Sequence, residues 1–338
     1  MSDSSPAPRE RGPHRRLSAW EAAAHRVLHR LHLDRLRIKL LVFALVATLV
    51  PTLTMSYHTY SITREHLNAK IAEELRNAST QTAREVNLWL KERFHETRVF
   101  ASSYEVTENV EQLARRADAA RRLMDYLASV RAKFPDYDEL AVLDFEGRRL
   151  VPSGTGPLAA HLPPGWVKQL HADESAMGEA YRDPATHRPV LCIAIPIKAG
   201  SGRLLGAMVG KLNFETVERT LASFAVGDTG RVHLVDREGR IVASAGPTTG
   251  DAPAPHLPAA AVTALAVAPD ATASYADARG EPVIGAMRVV SPAGWHVVAQ
   301  IDRGEAYARL SHQRTVTLGL LAGLVIAVGL AAYVPAGR

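Results

Sequence analysis

The 338-residue chain is long enough for two modest domains with additional helices, and its 47% apolar and 22% charged residues are ordinary values for a folded protein. Its net charge of +5 resides in residues 1–39, which hold nine basic and four acidic residues, so the rest is neutral on balance and unlike a nucleic-acid-binding protein. Cys192, the single cysteine, excludes an intrachain disulfide and a cysteine-based metal site.

The first predicted element is a membrane-spanning helix at 40–57. This stretch has no charged residue and has about the length that crosses the hydrocarbon core of a bilayer. A cleaved signal peptide fits less well, because the basic region is long and no A-x-A-like site follows. The basic tail, 1–39, is expected to stay in the cytoplasm. Within it, residues 17–31 have amphipathic helical spacing, which suits the anionic inner leaflet or is part of the topology signal.

A second uncharged stretch, at 316–334, predicts another membrane helix. Either stretch could instead be a buried helix of a soluble protein, but the two bracket the whole globular part of the chain. With two spans, residues 335–338 return to the cytoplasm and residues from about 58 to 315 lie outside it. We therefore expect a two-span protein of the cell inner membrane, with both termini cytoplasmic and a periplasmic sensor domain.

The outer region begins with a predicted stalk helix at 58–113. Apolar side chains recur there at steps of three and four over many turns, which indicates one helical stripe directly above the first span. This stripe consists of Leu67, Ile71, Leu75, Ala78, Thr82, Val86 and Trp89. It is longer than one module can cover, which favours a homodimer through the stalk. A second helix is predicted at 114–133, and residues 302–315 have helical composition.

An internal repeat divides the rest of the outer region. DFEGRRLV at 144–151 recurs as DREGRIVA at 236–243, about ninety residues later, and each copy follows an apolar run. Each predicts a strand, a tight turn at Glu-Gly and a second strand. YRD at 181–183 recurs as YAD at 275–277 with nearly the same offset. Two matches in constant register indicate two tandem modules, each an antiparallel sheet with helices.

A long helix out of the membrane, two PAS-like modules and a helix back into it resemble the double Cache (dCache) family of bacterial sensor domains. The matching stretches are GEAYRDPATHRPVLCIAIPI (178–197), GRLLGAMVGKLNF (202–214), GDTGRVHLVDREGRIVAS (227–244) and AGWHVVAQID (293–302). The resemblance covers about residues 58–312. It implies an α+β fold, with a membrane-distal Cache module at 114–225 and a membrane-proximal one at 226–312.

The resemblance also implies where a ligand binds and which kinds of output its binding controls. Ligand capture is expected mainly in the distal module. Family members drive the outputs of chemotaxis receptors, histidine kinases, cyclic-dinucleotide enzymes or phosphatases. We expect such a cytoplasmic output domain or partner to lie outside these 338 residues.

One departure from the family concerns the ligand. Amino-acid-binding members carry an Arg-x-Trp-aromatic motif before the strand that leads to Tyr-x-Asp. The nearest match is Pro164-Gly165-Trp166-Val167, which keeps the tryptophan and lacks the arginine and the second aromatic residue. Asp183 matches the aspartate that grips the amine. The resemblance therefore implies an amine-like or other polar metabolite in place of a free amino acid.

The candidate ligand contacts are Asp183, Tyr181, Trp166 and Tyr126. Tyr181 and Asp183 lie two apart on a strand edge and face the same side. A carboxylate beside aromatic rings can bind a small cation through its charge and through cation–π contact. Alternatively, Asp183 closes a turn through its own backbone, which the repeated Asp277 favours. We expect Asp183 to contact ligand and Asp277 to be structural.

Outside the basic tail, the sequence has no catalytic or metal-binding motif, and in the tail His25 and His29 lie at helical ligand spacing that a solvated basic helix explains better than a metal site. The sequence has no Walker A loop, G-x-S-x-G, Rossmann glycine fingerprint or kinase motif. The isolated D-T-G at 228–230 is a weak signal, which the resemblance to the family explains as the turn before a strand. We expect no enzymatic activity, cofactor or metal. The predicted function is a transmembrane sensor that relays ligand binding through the stalk. The alternatives are a membrane-anchored envelope protein whose modules bind another protein, and an extracytoplasmic hydrolase.

Overall fold

The structure is a computed structural model. It describes residues 36–152, 157–246, 256–267, 272–291, 293–308, 315–316 and 319–327. The predictions for the cytoplasmic tail before residue 36 and for the end of the chain lie outside these residues. The chain forms two compact units, one comprising Met1–Arg64 with Arg309–Arg338 and the other Glu65–Ala308.

Helix α1 runs without a break over Leu36–Ala101. Within the described residues, one helix is long and apolar enough to cross a membrane, at Val42–Ala101, and its most apolar stretch is fully unburied. Pro51 lies within this stretch, as expected for a tolerated proline in a membrane helix. The second predicted span, 316–334, lies partly outside the described residues, of which 319–327 are helical.

The apolar stripe of the stalk is buried within its own chain. Ile71, Leu75, Val86 and Trp89 are each at most 7% exposed and belong to the main hydrophobic core. The modules therefore cover the stripe, and it is not available to a second copy of the chain. The homodimer stays a prediction, without the support that this stripe was expected to give it.

Two shorter helices and a five-stranded sheet follow the stalk. The helices are α2 (Tyr104–Gln112) and α3 (Ala119–Lys133), and the strands are β1 (Tyr137–Leu143), β2 (Ala176–Met177), β3 (Tyr181–Arg182), β4 (Pro189–Lys198) and β5 (Leu204–Asn213). A short 3-10 helix (Leu158–His161) and α4 (Trp166–His171) lie between β1 and β2. The order is β1-β5-β4-β2, with β3 also paired to β4, and every pairing is antiparallel.

Each face of this distal sheet has its own core, because successive side chains along a strand point to opposite faces. On one face, Leu140, Ile193 and Met208 join the main core that includes the stalk stripe. The other face carries smaller side chains, including Ala141 and Ala194, in a separate core with the 3-10 helix and α4. The sheet therefore separates the stalk from a face that is less filled by side chains.

The proximal sheet repeats this architecture. After α5 (Glu215–Ser223) come β6 (Arg231–Val235), β7 (Ile241–Ala245), α6 (Ala259–Val267), β8 (Ala273–Ala276), β9 (Pro282–Val290), β10 (Trp295–Asp302) and α7 (Arg303–Ala306). The strand order is β7-β6-β10-β9-β8, again antiparallel throughout. The α+β fold with antiparallel sheets and a long N-terminal helix is thus confirmed.

The repeated turn has the same geometry in both modules. Its aspartate, Asp144 or Asp236, accepts hydrogen bonds from two turn amides and pairs with the arginine four residues later. The turn glycine has a φ of +81° in each copy, a left-handed conformation that favours glycine. The sequence repeat therefore encodes one turn twice.

The strand expected after this turn forms in only one copy. In the proximal module β7 pairs with β6 along its length, whereas in the distal module a single bridge joins Leu143 and Arg149. Pro152 lies just beyond that bridge and has no amide hydrogen to donate to a sheet. Within the residues described up to Pro152, the distal module therefore has a single bridge at this edge where the proximal module has a strand.

Candidate ligand-binding site

An open cleft of about 590 Å³ lies on the small-core face of the distal sheet. We call it the distal cleft. It is bordered by the end of α3, β1, the 3-10 helix, the turn after β3, and β5. Its charged lining residues are Arg131, Asp138, Glu139, Asp183, Arg188 and Lys211.

A charged row crosses the sheet at the base of this cleft. Lys211 on β5 is in register with Glu139 on β1 and with Cys192 on β4. Residues in register on neighbouring strands place their side chains side by side on one face. Lysine and glutamate rarely occur in the interior of apolar strands unless they are paired, and their side chains are only 14% and 8% exposed.

Asp183 uses both carboxylate oxygens within the chain. Oδ1 accepts hydrogen bonds from the amides of Ala185 (2.6 Å) and Thr186 (3.0 Å), and Oδ2 accepts one from Lys211 Nζ. The bond from Lys211 is the main cause that lowers the pKa of Asp183 to about 2. Asp183 is therefore an ionised turn residue and also a wall of the distal cleft, where Tyr181 joins it.

The other two carboxylates of the cleft also have partners. Glu139 forms an ion pair with Arg149, whose side chain is 17% exposed. Asp138 Oδ1 accepts a hydrogen bond from Asn213 Nδ2 at 2.8 Å. Each acidic group that lines the distal cleft therefore already accepts a donor from the chain itself.

Two stacked rings form an aromatic wall. The rings of His161 and Tyr181 lie parallel with centroids 3.5 Å apart, and the Tyr181 hydroxyl is 3.6 Å from Cys192 Sγ. Burial lowers the pKa of His161, raises that of Tyr181, and raises that of the Cys192 thiol to about 11. All three groups are therefore neutral at physiological pH.

The same rings border a second cleft, of about 500 Å³, between the two modules. Its far side is the repeated turn of the proximal module together with Trp295. Arg240 of that turn pairs with Glu179 of the distal module at 3.0 Å. His161 and Tyr181 thus separate the distal cleft from the boundary between the modules.

The proximal module has the same row of three positions with different residues. Gln300 on β10 is in register with Arg231 on β6 and with Gly285 on β9, in the places of Lys211, Glu139 and Cys192. The Tyr275 hydroxyl donates to Gln300 Oε1 at 2.7 Å, and the ring lies so close that a Cβ on Gly285 would be 2.6 Å from this hydroxyl. Tyr275, 9% exposed, thus covers Gln300 in the proximal module, whereas its counterpart Tyr181 contacts Cys192 and leaves Lys211 on the wall of the distal cleft.

Asp277 repeats the turn contacts of Asp183. Its Oδ1 accepts the amides of Arg279 (2.8 Å) and Glu281 (3.0 Å), and its Oδ2 pairs with Arg231 at 3.1 Å. Both aspartates thus close a turn and pair with a largely buried basic side chain. This basic residue lies on the central strand β5 in the distal module and on β6 in the proximal one.

The sequence-predicted site residues fall in different places. Tyr181 and Asp183 line the distal cleft together. Trp166 is partly buried against the small core, and Tyr126 is partly buried against the main core on the stalk side of the sheet. In the part of the chain that the structure describes, neither of the last two lines the distal cleft.

Sequence inspection overlooked the charged row itself. A signal for it exists, because Lys211 interrupts a largely apolar strand and Glu139 directly precedes the apolar run of β1. A charge in such a strand must have a partner or a function. Their pairing with Asp183 and Arg149 becomes visible only once the strand register is known.

Asp136 joins the stalk to the distal module. Its carboxylate accepts hydrogen bonds from the Trp89 indole (3.2 Å), from Arg93 and from the Thr216 hydroxyl of α5 (2.6 Å). Trp89 and Arg93 belong to α1. A polar contact of a buried carboxylate thus connects the stalk helix, the start of β1 and α5.

An aromatic series extends this connection to the proximal module. The centroids of Trp89 and Phe214 lie 5.6 Å apart, and those of Phe214 and Trp295 lie 5.8 Å apart. The stalk also bonds directly to the proximal sheet, since Arg288 Nε donates to Thr80 Oγ1 at 3.0 Å. The stalk therefore contacts both modules through named side chains.

Among the described residues, the structure groups no three His, Cys, Asp or Glu side chains in a way that could hold a metal ion. The cleft is instead built from ion pairs, backbone amides and neutral rings. These are groups that bind a small polar molecule through hydrogen bonds and charge.

Comparison with known proteins places this geometry in context. Residues 63–310 match the family model of the Cache domain, dCache_1. The methyl-accepting chemotaxis protein PctB of Pseudomonas aeruginosa is 26% identical over 194 residues, which cover 52% of this chain and 29% of that protein. The chain thus corresponds to less than a third of the length of this relative.

Solved structures with the same fold include sensory domains of chemoreceptors. That of Campylobacter jejuni Tlp3 with isoleucine bound has a TM-score of 0.54 at 14% identity, covering 72% of this chain and 98% of that one. The ligand-binding domain of Pseudomonas fluorescens CtaA in complex with L-leucine has a TM-score of 0.50 at 18% identity, covering 73% and 99%. At these identities the likeness establishes the shared fold.

Proposed function

We propose that this chain, which belongs to the Cache domain family dCache_1, is the sensor part of a bacterial transmembrane chemoreceptor and binds a small extracytoplasmic molecule in its distal cleft. The observation that carries the proposal is the contrast between the modules. In the proximal module Tyr275 bonds to Gln300 and covers it, whereas in the distal module the corresponding Tyr181 contacts Cys192, and Lys211 lines an open cleft. The chemotaxis function of the curated relative supports this role.

The distal cleft is coupled to the stalk through β5. Lys211 lies on the cleft face, whereas the next residue, Leu212, lies in the main core with the stalk stripe. A ligand that shifts β5 would therefore change packing against α1. Such a ligand acts by binding one of two packings more tightly, since differential affinity is what moves a conformational equilibrium. In this proposal the chain senses and relays without catalysing a reaction.

The proposed topology has two spans, with both termini cytoplasmic and the modules periplasmic. Alkaline phosphatase fused after Ser103 should be active, because this enzyme folds in the periplasm. The same fusion at Arg338 should be inactive. Activity at Arg338 would refute the two-span arrangement.

Ligand binding in the distal cleft can be tested with a cleft-filling variant. Ala185 lines the cleft and is exposed, so Ala185→Trp should obstruct the cleft with little effect on folding. The matched control is Ala278→Trp, at an exposed position in the equivalent proximal turn. The purified full chain is screened by thermal unfolding against amino acids, amines, carboxylates, sugars and nucleosides.

A compound that binds the folded chain at about 100 times its Kd should stabilise it by about 2.7 kcal/mol. We expect Ala185→Trp to lose this stabilisation and Ala278→Trp to keep it. The proposal fails if a stabilising compound acts equally on Ala185→Trp. It also fails if no compound stabilises the wild type while an envelope protein is retained by the modules.

A further inference from the structure

The hydrogen-bond acceptors of the distal cleft are already bonded within the chain, whereas its donors are only partly used. The carboxylates that line it already accept hydrogen bonds or ion pairs within the chain. Asp183 is the most engaged, with two amides on one oxygen and Lys211 on the other. A cationic ligand would have to displace Lys211 and leave a largely buried ammonium group without its counter-ion, which is costly.

The donors of the cleft, in contrast, still have N–H groups that no acceptor of the described residues uses. An ammonium group has three donors, and within the described residues Lys211 uses one of them, on Asp183. Arg131, in the last turn of α3, has no acidic partner in the part of the chain that the structure describes. Among the described residues, Arg188 makes a long ion pair of 3.9 Å with Glu215, and its charge also acts on Glu218. Three cationic side chains thus border the cleft with donors left for an incoming acceptor.

The remaining lining is apolar. Pro157, Leu158 and Pro184 face the same space, so the cleft offers a hydrocarbon surface opposite its cations. A molecule that suits both parts has an anionic head and a short carbon skeleton. Inorganic anions would satisfy only the cations.

On the basis of the function proposed above, we infer that the distal cleft binds small organic carboxylates, with Lys211 as the principal contact and Arg131 at the rim. Asp183 then positions Lys211 and does not itself contact an amine. This assignment replaces the amine-like ligand that the sequence suggested for Asp183. It also predicts that an ammonium group on the ligand is unfavourable.

Matched pairs of probes test the inference directly. Propionate and L-alanine, butyrate and γ-aminobutyrate, and succinate and L-aspartate differ within each pair by an amino group. Binding to the full chain is measured by calorimetry at constant ionic strength. We expect at least one carboxylate to bind on the order of tenfold or more tightly than its amino counterpart, the scale of one charged interaction.

Variants of the cleft provide the second arm. Lys211→Met combined with Asp183→Asn removes both charges and keeps the turn acceptor, and it should weaken carboxylate binding on the order of tenfold to a hundredfold. Arg131→Gln, at an exposed position, should weaken it less without affecting folding. Asp183→Asn alone should preserve or strengthen binding, because it removes the anion that competes for Lys211.

The outcomes separate this inference from the proposed function. If the amino member of a pair binds more tightly and Ala185→Trp abolishes its binding, the inference is overturned and the sensor function stands. If carboxylates bind to Arg131→Gln and to the double variant with the same affinity, the assigned contacts are wrong. If nothing in the broad screen acts through the cleft, the proposed function itself fails, and the inference fails with it.

Discussion

Removal of the Asp136 carboxylate should weaken the contact between the stalk and the distal module and so destabilise the fold. Asp136→Ala deletes the acceptor shared by Trp89, Arg93 and Thr216. The Arg93 side chain is only 12% exposed, so its charge would remain largely buried after the substitution.

The magnitude can be worked out from these contacts. Breaking a buried ion pair by removing one partner costs about 3–5 kcal/mol, and an orphaned buried donor such as the Trp89 indole costs about 1–3 kcal/mol on its own. These costs overlap because the groups share one carboxylate. Arg93 also keeps Glu96 at 3.2 Å, which reduces the loss. We therefore expect a destabilisation of about 3 kcal/mol.

Thermal unfolding of the full chain in detergent measures this effect. For a domain of this size, about 3 kcal/mol corresponds to a lowering of the Tm by roughly 6–12 °C. The matched control is Glu111→Ala, which removes an ion pair with Arg203 whose side chains are 40% and 63% exposed. An exposed pair contributes about 0–1 kcal/mol, so the control should unfold within about 2–4 °C of the wild type.

A double-mutant cycle gives the refuting result. If the buried charge is the main cost, Arg93→Met should partly rescue Asp136→Ala, because the unpaired guanidinium is then absent. The reasoning is refuted if Asp136→Ala unfolds at the same temperature as Glu111→Ala. It is also refuted if Arg93→Met adds its full cost to that of Asp136→Ala.

Three further predictions concern stability at other positions. Burial lowers the pKa of His233 to about 4, so the stability that neutral His233 contributes is complete above about pH 6.5, and about 3 kcal/mol of it is lost as the pH falls towards 4. His233→Gln should flatten the dependence of the unfolding free energy on pH between these values, and an unchanged slope would exclude His233 as its cause. Phe214→Ala should cost about 3–5 kcal/mol in denaturant unfolding and Phe145→Ala, at a 36% exposed ring, less than about 1 kcal/mol; equal costs would contradict the role of the aromatic series. A Cβ at Gly178 would lie 1.8 Å from the His161 carbonyl oxygen, so Gly178→Ala should destabilise the fold by about 1–3 kcal/mol or more and lower its Tm accordingly. Gly200→Ala, whose Cβ would have nothing within 4 Å, should keep the wild-type Tm, and a wild-type Tm for both variants would show that the contact at Gly178 relaxes freely.

Local patterns predicted the elements of this fold well. The aspartate-to-glycine turn at Asp144 and Asp236 depends on residues within five positions, so its two copies were recognisable from the sequence and predicted two modules. The helical spacing of the stalk stripe is also a local pattern, so the stalk helix was predictable from sequence. The burial of that stripe against the modules was not predictable in this way, because it depends on contacts between residues far apart in the chain.

The site was harder to predict for the same physical reason. Asp183 was identified as a polar residue before a turn, but its ion pair with Lys211 depends on β3, β4 and β5 meeting in one register. Trp166 and Tyr126 are close to the cleft in sequence, and their position on a helix determines which core each side chain enters. Sequence spacing therefore located the module that carries the cleft, but of the six charged residues that line it only Asp183 was identified as a candidate contact.

The two modules of the chain differ at the row of side chains that crosses each sheet. Tyr275 covers Gln300 in the proximal module, whereas its counterpart Tyr181 leaves Lys211 on the wall of a cleft. The proximal row places Gln300 and Gly285 beside Arg231, whereas the distal row keeps both Lys211 and Glu139. After duplication, the two copies could thus diverge in opposite directions. One accumulates substitutions that improve packing, and the other retains buried charges that a simple scaffold would eliminate.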